Sequence, residues 1–346
     1  MTQESSALAP PQALPRAARI GGGLLLLSVV SALFYYKWGG SLRAYGVVQE
    51  TGKLAANPAT LLEGGLLATT LAYFGRIWPA LVYGILIGAV LRAAVPASWV
   101  ARALGGRGVK GSLLGGIAGS PLMLCSCCVT PIFTGAYQRG ARLGASLALM
   151  LAAPGLNLAA LGLTFALLPG KLGAARLGFS LLCVFGVSAL LARVFEGTVR
   201  PRVDASCATD AEPRMTLALF ATRFVKSIAY LALVTVPLIA AGVVLSGLVL
   251  PHLSRLAGTG VVVAIAAVAL IGVLVALPTF FEIPLALVLL QLGAPSGAAV
   301  AFLVAGPIIN LPSLFVLARE TRPRVALSLG AGVWLCATLA GLAVSF

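Results

Sequence analysis

Residues 119–161, GSPLMLCSCCVTPIFTGAYQRGARLGASLALMLAAPGLNLAAL, decide the fold, because the chain carries them a second time in altered form. Laid without a gap on residues 272–314, GVLVALPTFFEIPLALVLLQLGAPSGAAVAFLVAGPIINLPSL, they give 14 identities in 43 positions at an offset of 153. Matches of Ala and Leu arise by chance between any two apolar helices. Pro131 with Pro284, Gln138 with Gln291, Gly140 with Gly293, Gly144 with Gly297, Pro154 with Pro307 and Asn157 with Asn310 do not, and they point to duplication. The same offset carries Cys183 onto Cys336.

Around the repeat the chain of 346 residues is 60% apolar and 10% charged, with a mean hydropathy of +1.05. Soluble domains carry about 25% charged residues, so this composition belongs in a membrane. Nine acids and one histidine leave little material for carboxylate-pair hydrolases, histidine triads or imidazole-rich metal sites. The net charge of +15 comes from 24 basic residues that lie almost wholly in connections between apolar runs, where they set orientation and do not bind nucleic acid. The glycine-rich stretch Gly105 to Ser112 lacks the order of a phosphate loop, and no cofactor site is read anywhere.

Apolar stretches of spanning length run from Ile20 to Trp38, Ala68 to Leu91, Gly111 to Gln138, Leu143 to Leu168 and Gly173 to Leu191. A second set runs from Ser227 to Leu250, Thr259 to Leu292, Gly297 to Leu317 and Val325 to Phe346. The expected architecture is an all-α multi-pass membrane protein of two homologous repeats with one extra N-terminal span. Its expected parts are a disordered tail (1–19), the extra span and loop (20–65), repeat 1 (66–195), a polar linker (196–216) and repeat 2 (217–346). Isolated Cys183 and Cys336 are expected to pack, Cys207 to be a linker thiol and His252 a surface residue.

Basic residues arbitrate the topology. With every segment crossing once, the two sides hold 12 and 11 of them. With 111–138 and 259–292 as re-entrant hairpins, the cytoplasmic side holds 17 against six. Hairpins therefore restore the positive-inside bias and make the repeats inverted, although legs of about 14 residues reach only about 21 Å. Pro154 with Asn157, and Pro307 with Asn310, interrupt matching segments of the two halves. Such paired breaks point to a transporter with its site at the midplane, each Asn either facing solute or satisfying its own break.

Inside the first hairpin stand Cys125, Ser126, Cys127 and Cys128, closed by Pro131. Thiolates suit soft ions, and Cys125 with Cys127 could share one where the backbone leaves the helix. The alternative is that small apolar thiols simply pack. Glu282, two residues before Pro284, is the intramembrane acid. It is read either as a proton carrier or as a structural residue that pairs with Arg76 or lies near an aqueous vestibule.

The run Pro121-x3-Cys125-Ser126-Cys127-x3-Pro131, then Gly140-Ala141-x2-Gly144-Ala145 and Pro154-x2-Asn157, resembles a bacterial family of predicted permeases that includes the organoarsenical efflux permease ArsP. Pro284, Gly293-Ala294-x2-Gly297-Ala298 and Gly306-Pro307-x2-Asn310 fit the same pattern in the second half. The resemblance covers roughly Leu66 to Arg324 and implies a permease of the inner membrane that moves a small solute, with the cargo less defined. Cys128 has no counterpart in that pattern. Thiol-dependent efflux of trivalent arsenicals or related soft metalloids, with proton coupling, is the expectation. Transport of another small sulfur-containing or anionic solute, or membrane thiol oxidoreduction, are the alternatives.

Overall fold

A computed structural model describes residues 16–51, 65–93, 95, 97–106, 108–199, 217–249, 260–277, 281–291 and 293–345. Among them every regular element is helical, the only local arrangement that satisfies all backbone N–H and C=O groups of a single segment in hydrocarbon. The first half comprises α1 (Arg16–Thr51), α2 (Gly65–Ala93), α3 (Ala97–Leu104), α4 (Gly108–Gly119), α5 (Ser126–Gln138), α6 (Leu143–Gly155), α7 (Leu158–Leu167) and α8 (Gly170–Leu181). A π turn, Leu182–Val187, joins α8 to α9 (Ser188–Phe195). The second half comprises α10 (Leu217–Val249), α11 (Val261–Leu274), α12 (Glu282–Gln291), α13 (Ser296–Ile308), α14 (Leu311–Glu320) and α15 (Pro323–Ser345).

Among the described residues five helical stretches are long and apolar enough to cross a membrane: Gly21–Arg43, Leu143–Leu167, Gly170–Phe195, Phe220–Ala241 and Pro323–Ser345. The pair α13–α14, bent by 43°, makes a sixth. Arg16 to Arg19, expected in the tail, form the first turn of α1, whereas residues 1–15, most of the linker, Cys207 and His252 lie outside the described residues.

Segment 111–138 does not cross once. After α4 the chain makes a 3-10 turn at Ser120–Leu122, Met123 takes a left-handed φ of 48°, and α5 begins. The N–H of Arg142, just before α6, donates to the carbonyl of Leu104, just before α4, at 3.1 Å. A single crossing would hold these two residues at opposite ends of the bundle. Moreover α4 runs alongside α6 in the same direction, Gly115 against Ala145 and Gly119 against Leu149 and Ala152. The turn that joins α5 to α6 reverses the chain at Gly140 (φ 93°), whose neighbour Ala141 donates back to the Ala136 carbonyl at 3.0 Å. Thus α4 enters and α5 returns to the same end.

The second half is built the same way. Gly293 (φ 79°) turns α12 into α13, and Ala294 donates to the Leu289 carbonyl at 3.0 Å. α11 runs alongside α13, with Gly272 against Ala305, the Gly119–Ala152 contact shifted by 153 residues. Because α13 continues through its bend into α14, and α14 ends beside the end of α5 (Gln138 to Glu320, 2.7 Å), α13 starts at the end opposite to α6. The two hairpins therefore open on opposite ends. Arg139, which donates to the Arg92 carbonyl, and Arg142, 3.8 Å from Glu196, collect at the mouth of the first hairpin. By the positive-inside rule this basic end is the one expected to face the cytoplasm.

Small residues let these elements approach closely. Gly88 of α2 meets Pro131 and Gly135 of α5 backbone to backbone, and Gly84 meets Cys128. The packing fixes where the hairpin tip, with its cysteines, comes to rest.

Candidate solute site

Each helix break is finished by an asparagine. Asn157 stands at the N-cap of α7 and its Oδ1 accepts from the N–H groups of Ala159 and Ala160 at 3.1 and 3.2 Å. Asn310 caps α14 in a reciprocal box with Ser313, both bonds at 3.1 Å. The two side chains differ at their other end. Asn310 Nδ2 donates to Cys127 Sγ at 3.1 Å, while Asn157 Nδ2, on a residue only 1% exposed, has no partner.

The hairpin tip places the thiols. Cys125 is the N-cap of α5, its carbonyl accepting from the N–H groups of Cys128 and Val129 at 3.0 and 3.1 Å. The Cys125 and Cys128 side chains interact with each other. The residues expected to share an ion, Cys125 and Cys127, thus have different partners. Pro131 lies inside α5, and the Cys127 carbonyl one turn back, which a proline cannot bond, receives the Thr130 hydroxyl. Pro284 sits in the first turn of α12, where an N–H would have no intrahelical acceptor. Ser126, Pro131 and Pro284 are buried within their helices. Among the described residues no three His, Cys, Asp or Glu side chains converge as a metal site.

Leu124, Cys125, Pro154, Asn157, Leu277, Glu282 and Pro307 enclose a cavity of about 10 Å³, room for about one water. Leu124 with Leu277 and Pro154 with Pro307 are pairs 153 residues apart. Two further such pairs come together: Gly155, where a Cβ would lie 2.9 Å from Ile308 Cγ1, and Cys183, whose thiol interacts with that of Cys336. A residue that meets its own counterpart marks a pseudo-two-fold axis, and the cavity lies on it.

Glu282, 2% exposed, forms an ion pair with Arg176 of α8 at 2.8 Å, and Arg176 also donates to the Thr164 hydroxyl of α7. Arg176 was not among the residues expected at the site, and the side chain of the expected partner, Arg76, lies outside the described residues. The signal was present: Arg176 is a base within the apolar run Gly173 to Leu191, as exceptional there as the acid opposite it.

Broken helices of two inverted halves, closing on one buried cavity, define a multi-pass membrane permease. A family model described as "Predicted permease" (ArsP_1) matches residues 16–126 and 64–346, and the chain belongs to that family. It is similar to the UPF0718 protein YraQ of Escherichia coli (strain K12), 28% identical over 328 residues, 92% of this chain and 93% of that protein. It is also similar to the UPF0718 protein MJ0584 of Methanocaldococcus jannaschii, 22% identical over 288 residues, 65% and 79% of the respective chains. No solved structure matches it. The family's members are transporters, and this chain is a multi-pass protein of the bacterial inner membrane.

Proposed function

We propose that the permease carries a soft, trivalent metalloid compound, a monomethylated arsenical being the best fit, through the cavity on the pseudo-two-fold axis. The observation that carries this reading is that Cys125 and Asn157, whose amide Nδ2 has no partner, line one buried cavity, with a second thiol, Cys128, beside the first. Two thiols match a trivalent arsenic whose third bond is taken by carbon. Capture exchanges two As–O bonds for two As–S bonds, the thiol protons leaving with the oxygens as two waters, and no oxidant or reductant is needed. The Asn157 N–H group would stabilise the departing oxygen. A cavity of about 10 Å³ is too small for such a solute, so entry requires the halves to part. Ion-paired Glu282 holds α12 against α8 at its edge.

Uptake of trivalent methylarsenical and of arsenite into everted membrane vesicles tests the reading. The native chain is expected to accumulate methylarsenical in preference to arsenite. Cys125→Ser with Cys128→Ser abolishes accumulation at unchanged expression, and Cys127→Ser, which leaves the pair intact, retains most of it. Undiminished uptake in the double variant would sink thiol capture and favour a solute for which the cysteines only pack.

A further inference from the structure

A second buried carboxylate lies at the cytoplasmic end, away from the cavity. Glu320, 1% exposed, accepts from Gln138 Nε2 at 2.7 Å and from the Tyr230 hydroxyl at 3.4 Å. Where Glu282 has a guanidinium, Glu320 has neutral donors; among the described residues it forms no ion pair. We propose that Glu320 is a proton-binding site, its proton held between the carboxyl and the amide of Gln138. The proposal rests on the permease reading for its purpose and not for its chemistry.

The decisive detail is on Gln138. Its Nε2 is used, while its Oε1 is buried with no partner. An ionised carboxylate has no hydrogen to offer that oxygen, whereas a carboxylic acid does. With a proton on Glu320 the acid O–H donates to the amide oxygen while the amide N–H donates to the acid carbonyl, a cyclic pair that leaves no atom of either group unsatisfied. The proton is taken from cytoplasmic water and no other bond changes. In the ionised form both Gln138 and Tyr230 donate to the anion, which ties α14 to α5 and α10. Protonation withdraws the anion that holds them.

The surrounding charges leave the site specific. Arg319 on the same helix and Arg92 of α2 act on Glu320 through space, Arg92 being stacked 4.0 Å from the Tyr230 ring centroid. Tyr137 of α5 feels the Glu320 charge, and Arg139 beyond it donates to the Arg92 carbonyl. On α10, Arg223 is half-buried and Lys226 exposed, and Arg324 of α15 is exposed. At the other end of the molecule the residue 153 before Glu320 is Leu167, although Gln291 repeats Gln138. Only the cytoplasmic end carries the acid.

Infrared difference spectra of the full chain in lipid nanodiscs, recorded on acidification, read the proton without any cargo. A carboxylic-acid C=O band is expected in the native protein and in Glu282→Gln, and its loss in Glu320→Gln. Tyr230→Phe keeps the band and shifts its frequency, and Glu320→Asp, which retains a carboxyl should Glu320→Gln fail to fold, moves it without removing it. Absence of the band from the native protein, or its survival in Glu320→Gln, overturns the assignment. Neither result touches arsenical transport, and failure of arsenical uptake would leave this band in place.

Discussion

Glu282 and Arg176 face each other at 2.8 Å with almost no exposure, so each is tolerable only because of the other. Removing one member of a buried pair strands a charge, at a cost of about 3–5 kcal/mol, whereas replacing both by apolar groups of similar size is often near neutral. Glu282→Gln is therefore expected to lower the heat stability of the detergent-purified protein sharply, and Glu282→Gln with Arg176→Met to recover most of the loss. Equal stability of the single and double variants would mean that the pair is not closed in solution. Asn310→Ala should cost about 0.5–2 kcal/mol through the lost cap alone, in the same melting assay. An acid in an apolar run announces its own importance, which is why Glu282 was legible from sequence. Arg176 carried the same kind of signal, but its pairing with Glu282 was not legible, because the contact joins residues 106 apart and depends on which helices become neighbours. Cys128 was undervalued for a related reason. Whether Cys125 meets Cys127 or Cys128 turns on where α5 begins, and with Cys125 as the N-cap the residue three positions on is the one brought back.

Helix ends and turns decide the path of the chain. Gly140 and Gly293 occupy φ of 93° and 79°, which side chains with a Cβ rarely adopt. Gly140→Ala is expected to cost about 1–2 kcal/mol and to loosen the junction of α5 with α6, seen as faster proteolysis at that end. The re-entrant geometry makes a sharper prediction. Cysteines at 104 and 142, in a background lacking the native thiols, should be joined by a short bifunctional reagent, since the backbones of Leu104 and Arg142 are hydrogen-bonded. No cross-link would return segment 111–138 to a single crossing. The hairpins could be foreseen from the distribution of Arg and Lys, and the breaks from Pro154 and Pro307. That α4 lies along α6, Gly115 and Gly119 against its backbone, could not be foreseen, because glycine marks a close approach without naming what approaches.

Across the whole molecule, the repeat read from 14 matched positions accounts for the geometry of both hairpins, both breaks and the cavity between them. What the two halves do not share is equally informative: Glu320 against Leu167, and Glu282 against Val129, give the molecule polarity along an otherwise symmetric frame. The axis itself can be tested at Gly155 and Ile308. Gly155→Ile alone overfills the junction and Ile308→Gly alone empties it, so each should lower stability, by about 1–3 kcal/mol for the first. The two together exchange the occupants and should restore it. A position on such an axis has its own counterpart for a neighbour, and the space there is a single volume divided between two codons. Among relatives, an increase at 155 is then expected to be matched by a decrease at 308, the pair varying as one site, whereas 154 and 307, set apart across the cavity, are expected to drift independently.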